Sequence, residues 1–157
     1  MGVCSNVLKL RRRCLCYEKG ARMLAVGLVY NDLGIERGVI HFLQDTPPYD
    51  DIYMHLLDPL EIPLCCSTIH LQDANGRPRT CIAVGTAFIS RNEFEASAGR
   101  VIVFSKSVGS SLPVVTMMTE TNGAVYDICD MNSCLVCAVN HAVHVYSVRS
   151  LRSNYLV

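Results

Sequence analysis

Residues 84–104 read VGTAFISRNEFEASAGRVIVF. An apolar run ending at Ile89 gives way to a polar connection carrying Glu93 and Glu95, and Gly99 with Arg100 opens a second apolar run. Both runs are rich in β-branched or aromatic residues and bounded by turn formers, which is how strands read. Neither alternates apolar with polar. A strand with one wet face alternates, whereas a strand covered on both faces is continuously apolar. These residues are therefore read as a hairpin buried on both sides of its sheet.

The hairpin's own runs extend over 80–89 and 100–106, and further short runs follow at 113–119 (PVVTMMT), 124–129 (AVYDIC), 133–139 (SCLVCAV) and 142–148 (AVHVYSV). The segments between them, 90–99, 107–111, 120–123, 130–132 and 140–141, are polar or carry Gly or Asn. No gap holds a crossover helix, so consecutive strands pair antiparallel as a meander. Toward the N-terminus, 14–17 and 22–30 (RMLAVGLVY) read as a hairpin around 18–21, and 63–72 (PLCCSTIHLQ) as a strand ending at the turn 73–78 (DANGRP). Residues 31–48, with Pro47 and Pro48 in succession, read as a surface loop or insertion. Residues 51–58 (DIYMHLLD) are too few for periodicity to separate strand from helix.

The count is about nine or ten short strands and no assigned helix, so the fold class is all-β. A sandwich or barrel absorbs such a count, and so do β-propeller blades, each a four-stranded antiparallel meander. An internal echo favours blades. Val84-Gly85 in one strand, a loop, then 99–103 is paralleled by 135–139, a turn, then 143–146, the middle hairpins of successive blades. Blades stack face to face, which accounts for the continuous apolar runs.

With half of its 157 residues hydrophobic, the chain has the material for a core. Lys plus Arg and Asp plus Glu balance at 14 each, so net charge points to no nucleic-acid or membrane coat. Nine cysteines would suggest disulfides in a secreted chain, but the number is odd, no Asn-x-Ser/Thr acceptor occurs, and Arg11, Arg12 and Arg13 precede any apolar core near the start. Most lie inside apolar runs, as small buried hydrophobes do, and the reading is reduced, intracellular thiols. Asn6 stands where a myristoylation motif wants Ser or Thr. No run approaches the ~20 apolar residues of a transmembrane helix, so no membrane partner is expected.

No candidate for chemistry survives. Cys134-x-x-Cys137 has zinc or thiol-exchange spacing, but within a strand positions three apart face opposite ways. Cys14-x-Cys16 shares one face, yet no second ligand pair with metal spacing follows. His41, His55, His70, His141 and His144 are scattered, no G-x-S-x-G elbow occurs, and Gly85, Gly99 and Gly109 do not open a helix in a phosphate-binding loop. Glu93 and Glu95 read as a solvated loop rather than a catalytic pair, and the three-arginine run is too short for a nucleic-acid patch. The expectation is a non-enzyme with no catalytic, cofactor or metal site and no cofactor.

The stretch at 84–104 closely resembles the third propeller of the damage-specific DNA-binding protein 1 family, in which a Val-Gly-Thr-Ala strand, an acidic loop and a Gly-Arg-Ile/Val-x-Val-Phe strand follow one another. The cleavage and polyadenylation specificity factor A subunit region and a splicing-factor subunit share it more loosely. The likeness extends to 11–26 (RRRCLCYEKGARMLAV), 62–71 (IPLCCSTIHL) and 123–148 (GAVYDICDMNSCLVCAVNHAVHVYSV). Residues 31–48 have no counterpart in it. It implies an incomplete propeller of about two to three WD40-like blades over residues 8–157, within chains very much longer than this one, so the expectation is a partial chain.

By the same resemblance, the function implied is a non-catalytic nuclear scaffold, also present in the cytoplasm, linking a cullin-RING ubiquitin ligase to substrate receptors in DNA repair. Its implied partners are cullin-RING ligase components and receptors, with any nucleic-acid contact indirect. The alternative is a nucleic-acid-associated subunit of an mRNA 3'-end cleavage/polyadenylation or splicing complex. Individual contact residues are not carried over; the loops between strands are where a partner would be met.

Overall fold

The computed structural model describes residues 10–147 apart from 74, 107–108 and 110–111. It contains strands β1 Arg11–Glu18, β2 Met23–Asp32, β3 Ile35–Gln44, β4 Asp51–Pro59, β5 Glu61–Gln72, β6 Pro78–Phe88, β7 Gly99–Lys106, β8 Pro113–Thr121, β9 Val125–Met131, β10 Cys134–Val139 and β11 Ala142–Ser147, with no helix among the described residues. They form three antiparallel meanders, β1-β2-β3-β4, β5-β6-β7-β8 and β9-β10-β11. The first strands of the sheets meet, β5 touching β1 on one side and β9 on the other. Two four-stranded blades and a three-stranded one are thus stacked face to face as a partial β-propeller. The ends of the expected 8–157 span, and the Met1-Gly2 start, lie outside the described residues.

Alternation across the pleat shows how one continuous apolar run serves two cores. In β6, Ile82 and Val84 point into the first interface while Cys81 and Ala83 point into the second. In β7, Ile102 and Phe104 go one way and Val101 and Val103 the other. The first interface adds Met23, Ala25, Ile40, Phe42 and Leu57. The second adds Ile69, Val125, Ile128, Leu135, Cys137 and Val139. As the internal echo predicts, β6–β7 and β10–β11 are the second and third strands of their blades.

One expectation is corrected. Residues 31–48 are not a loop: β2 runs through Asp32, a tight turn at Leu33 and Gly34 takes positive φ (50° and 88°), and β3 follows. The Gly34 amide donates to the Asn31 side chain at 2.8 Å, closing the turn. The polar start of β3, IERG, concealed it, but Val39, Ile40 and Phe42 are buried in the stack. Only residues 45–50, with the two prolines, form a connection. Residues 51–58 fall in β4, so the open choice there resolves to strand, and the described strands number eleven.

Candidate interaction surface

Because each blade is a meander, its turns gather at two ends of the stack. One end carries the β2–β3 turn, the β4–β5 link at Leu60, the long β6–β7 connection of residues 89–98, the β8–β9 link and the β10–β11 turn. Backbone bonds tie them together: Ile89 N–H donates to the Leu60 carbonyl at 2.8 Å, and Leu60 N–H to Glu36 at 3.3 Å. The other end is made of short turns and of segments only partly described. The long loop makes the first end the candidate surface.

Both feet of this loop are fixed by polar groups. At the first, Glu61 is fully buried, and a buried carboxylate persists only when it is bonded and paired. It accepts from Thr86 Oγ1 at 2.6 Å and the Asp58 amide at 3.1 Å, and Arg100 Nη1 lies 3.6 Å away. Arg100 also pairs with Asp58, and its guanidinium sits 4.9 Å over the Phe88 ring. The carboxylates hold its proton more firmly than usual, outweighing burial, the largest influence and one that acts the other way. A single cluster therefore joins β4, β5, β6 and β7 across the first blade boundary.

The second foot is held by Asn140, in the β10–β11 turn with φ 49°. Its Oδ1 accepts from the Ala124 amide at 2.6 Å, its Nδ2 donates to the Ala96 carbonyl at 3.0 Å, and its own amide donates to the Ala124 carbonyl at 2.9 Å. One side chain thereby clamps the loop to the third blade. Gly99 completes the junction: a β-carbon there would run into the carbonyls of Gly123 and Thr86, so a larger residue would force the loop off the sheet.

Held at both feet, the loop projects Phe94 fully into solvent between Glu93 and Glu95. Glu93 accepts from the Ser97 amide at 3.3 Å and the Ser97 hydroxyl at 3.1 Å, which keeps the tip folded. Glu95 lies 3.7 Å from His141. Beside the tip is a groove of about 200 Å³ lined by Ile62, Leu64, Ala87, Ile89 and Tyr126. Across the loop, a depression of about 540 Å³ is lined by Asn31, Ile35, Glu36, Leu60 and Arg91. Leu33 stands wholly exposed at the same end. Exposed aromatic and aliphatic groups rimmed by charge are the makings of a protein contact.

The other residues considered from the sequence do not converge on chemistry. Cys137 is buried, with its thiol pushed up to about 12 by burial, while Cys134 lies half-buried on the opposite face, as strand geometry predicts. Of the histidines, His41 meets Asp51 at 3.1 Å, His70 meets Asp130 at 3.7 Å, His144 meets Tyr146 at 3.1 Å and His55 packs edge-on to Phe104. Arg11 pairs with Glu36. Among the described residues, no group of three or more His, Cys, Asp or Glu side chains is arranged to hold a metal ion. No helix among them is long and apolar enough to cross a membrane. Sequence reading passed over Phe94, whose signal was a lone aromatic between two acids in an otherwise polar loop.

A family model described as the CPSF A subunit region matches residues 43–152. The chain is similar to DNA damage-binding protein 1 of Oryza sativa subsp. japonica, 29% identical over 142 residues, which is 88% of this chain and 13% of the relative. It is also similar to DNA damage-binding proteins 1b and 1a of Arabidopsis thaliana, each 27% identical over 85% of this chain and 12% of the relative. The chain thus spans only about an eighth of the length of these relatives.

Proposed function

Since the chain belongs to the CPSF A subunit region family, we propose that it is a non-catalytic protein-interaction scaffold, and that the loop end of its blades is the surface that meets the partner. The observation that carries this reading is the clamped loop: Glu61, Arg100 and Asn140 fix its feet while Phe94 is left fully exposed at its tip. Ordering a loop before contact lowers the entropy lost on association. An aromatic anchor beside an apolar groove is the usual centre of such a contact. The acidic rim favours a partner carrying Arg or Lys next to an apolar residue.

The similarity to DNA damage-binding protein 1 supports the finer reading, a nuclear scaffold that links a cullin-RING ubiquitin ligase to substrate receptors in DNA repair. The family description favours a second reading, a subunit of an mRNA 3'-end cleavage/polyadenylation or splicing complex. Affinity purification of the tagged chain from nuclear extract, beside a Phe94→Ala/Glu93→Lys/Glu95→Lys variant, separates them. The first reading expects cullin-ligase components and receptors to be recovered and the variant to lose them by tenfold or more. Recovery of polyadenylation or spliceosomal factors instead establishes the second. Equal recovery by both proteins removes the loop from either.

A further inference from the structure

The stack ends on two sheet faces that no described strand covers, the outer face of the first blade and that of the third. On the first, strand register lines residues up in rows: Leu15, Val26, His41 and Met54 in one, Arg12, Leu28, Val39 and Leu56 in the next. Leu15, Met54 and Leu56 are each more than half exposed, and an open groove of about 780 Å³ over this face is lined by Arg12, Arg13, Leu15, Leu24, Leu28 and Leu43. On the third blade, Cys129, Val136 and Val145 form one row and Asp127, Ala138 and Val143 the next. Val143 and Val145 are more than half exposed, and so is Met131 on the same face. A terminal repeat that meets water needs a polar outer face. These two faces are mostly aliphatic.

The two free faces are also of opposite kinds. Within the chain, each boundary joins the trailing face of one blade to the leading face of the next. The first blade's trailing side meets Ile82 and Val84, and the second blade's trailing side, with Cys81 and Ala83, meets Val125 and Leu135. The first blade is left with a leading face and the third with a trailing one, so a second copy can continue the stack by the kind of contact that already holds it together. Charge agrees. Arg12 and Arg13 are exposed on the leading face and Asp127 on the trailing one. Stacking one on the other brings opposite charges together, whereas pairing either face with itself opposes like charges.

We propose that two copies of this chain associate head to tail, the outer face of each first blade stacked on the outer face of the other copy's third blade, and so close a six-bladed ring.

The number of copies follows from the blades. Propellers close with about four to eight of them, and the only multiple of three in that range is six. Head-to-tail contacts form a ring when the rotation completes a turn and open filaments when it does not. With two copies, all four free faces are covered. Rotation about the propeller axis leaves both Phe94 loops at the same end of the ring, where a partner meets two equivalent contacts. The association depends on the free faces and not on the loop, so either can fail without the other.

Size-exclusion chromatography with light scattering on the full chain is the first test. The expected mass is twice that of one copy, falling to one copy on dilution. A single copy at every concentration overturns the proposal, and so does a ladder of three or more. Leu15→Glu damages the leading face and Val145→Glu the trailing one; each should weaken association tenfold or more with an unchanged far-ultraviolet circular dichroism spectrum, because both side chains are exposed. Mixing the two variants should restore part of the pairing, since the mixture keeps one undamaged contact. Loss of pairing in only one variant would mean that a face pairs with itself, which overturns the head-to-tail arrangement. The exposed Cys129 thiol gives a measurement that needs no variant. Its alkylation by iodoacetamide should slow several-fold between dilute single copies and the pair, and an unchanged rate in a sample of doubled mass would put the contact elsewhere.

Discussion

The two blade boundaries are made from alternate residues of the same two strands, β6 and β7, yet they are held differently. The first brings Phe42 and Phe104 together, ring centroids 4.9 Å apart, with His55 5.2 Å from Phe104, and crosses the boundary with the Glu61–Arg100–Asp58 cluster. The second is aliphatic and thiol-lined, built from Val101, Val103, Val125, Leu135 and Cys137, and its loop-end polar link is Asn140, with the exposed pairs His70–Asp130 and Glu95–His141 at its edges. Aromatic bulk and buried charge make the first boundary hard to separate without large loss. The second is closed by small, well-fitted side chains and one turn. A central blade so placed holds the interaction loop by an ionic foot on one side and an amide foot on the other.

This contrast breaks most visibly at Phe104. Phe104→Ala is expected to cost about 4 kcal/mol, within the range for a buried aromatic truncated in a core, whereas Val103→Ala, one residue away but facing the second boundary, costs about 2 kcal/mol from a smaller cavity. Urea unfolding followed by far-ultraviolet circular dichroism measures both. Equal losses would mean that the two boundaries open as one. Next in size is Arg100→Met. Its side chain is 18% exposed while Glu61 is fully buried, so the substitution strips most of the charge compensation from a buried carboxylate, at an expected cost of about 2–3 kcal/mol. Adding Glu61→Gln should recover part of that loss, because the buried charge is then gone as well. If the double variant is no better than Arg100→Met, the pairing is not what Arg100 contributes.

How far this arrangement could be read in the sequence depends on which faces each strand buries. The runs at 80–89 and 100–106 announced strands covered on both sides because Cys81, Ile82, Ala83 and Val84 are buried in succession. β3 escaped notice since its first turn-proximal residues, Ile35, Glu36 and Arg37, stay at least partly exposed at the loop end of the blade, so the run looked polar before it became apolar. The site was legible only as a polar connection with two acids. Its fixing groups come from separate places in the chain: Asp58 from the end of β4, Glu61 from the start of β5, Thr86 from β6, Arg100 from β7 and Asn140 from the β10–β11 turn. No local pattern ties these together, because blade stacking alone brings them to one end.

The amide foot gives a smaller and more local effect. Asn140→Ala removes both side-chain hydrogen bonds and forces a β-carbon-bearing residue without Asn's tolerance into φ 49°, an expected cost of about 1–2 kcal/mol. Asn140→Gly keeps the backbone conformation and should lose less. Amide hydrogen exchange at residues 89–98 should rise in both variants while exchange in β6 and β7 holds, since the loop is released from the third blade without opening the first boundary. Protection lost equally from β6 would show that Asn140 supports the sheet rather than the loop.

The least effect is expected from His55, which belongs to the first boundary alone. Burial against Phe104 is the main reason its proton is held more weakly than the ordinary 6.5. A base with a depressed folded pKa is neutral in the native state while the unfolded chain still takes up the proton. Stability is therefore complete above about pH 6.5 and declines as the pH falls through the unfolded value toward the folded one. Because the ring is only half-buried, solvent screens much of this, and the decline should be a fraction of the Arg100 effect. Urea midpoints between pH 8 and pH 5.5, compared with those of His55→Gln, isolate it: the unaltered chain should lose more stability across this interval than the variant. Protonation of His55 should also loosen the first interface, which depends on aromatic packing, while the second has no histidine among its core residues and meets His70 and His141 only at its exposed edges. An identical pH slope in Val103→Ala and in the unaltered chain would agree with that separation, whereas a steeper one would couple the two boundaries through β7.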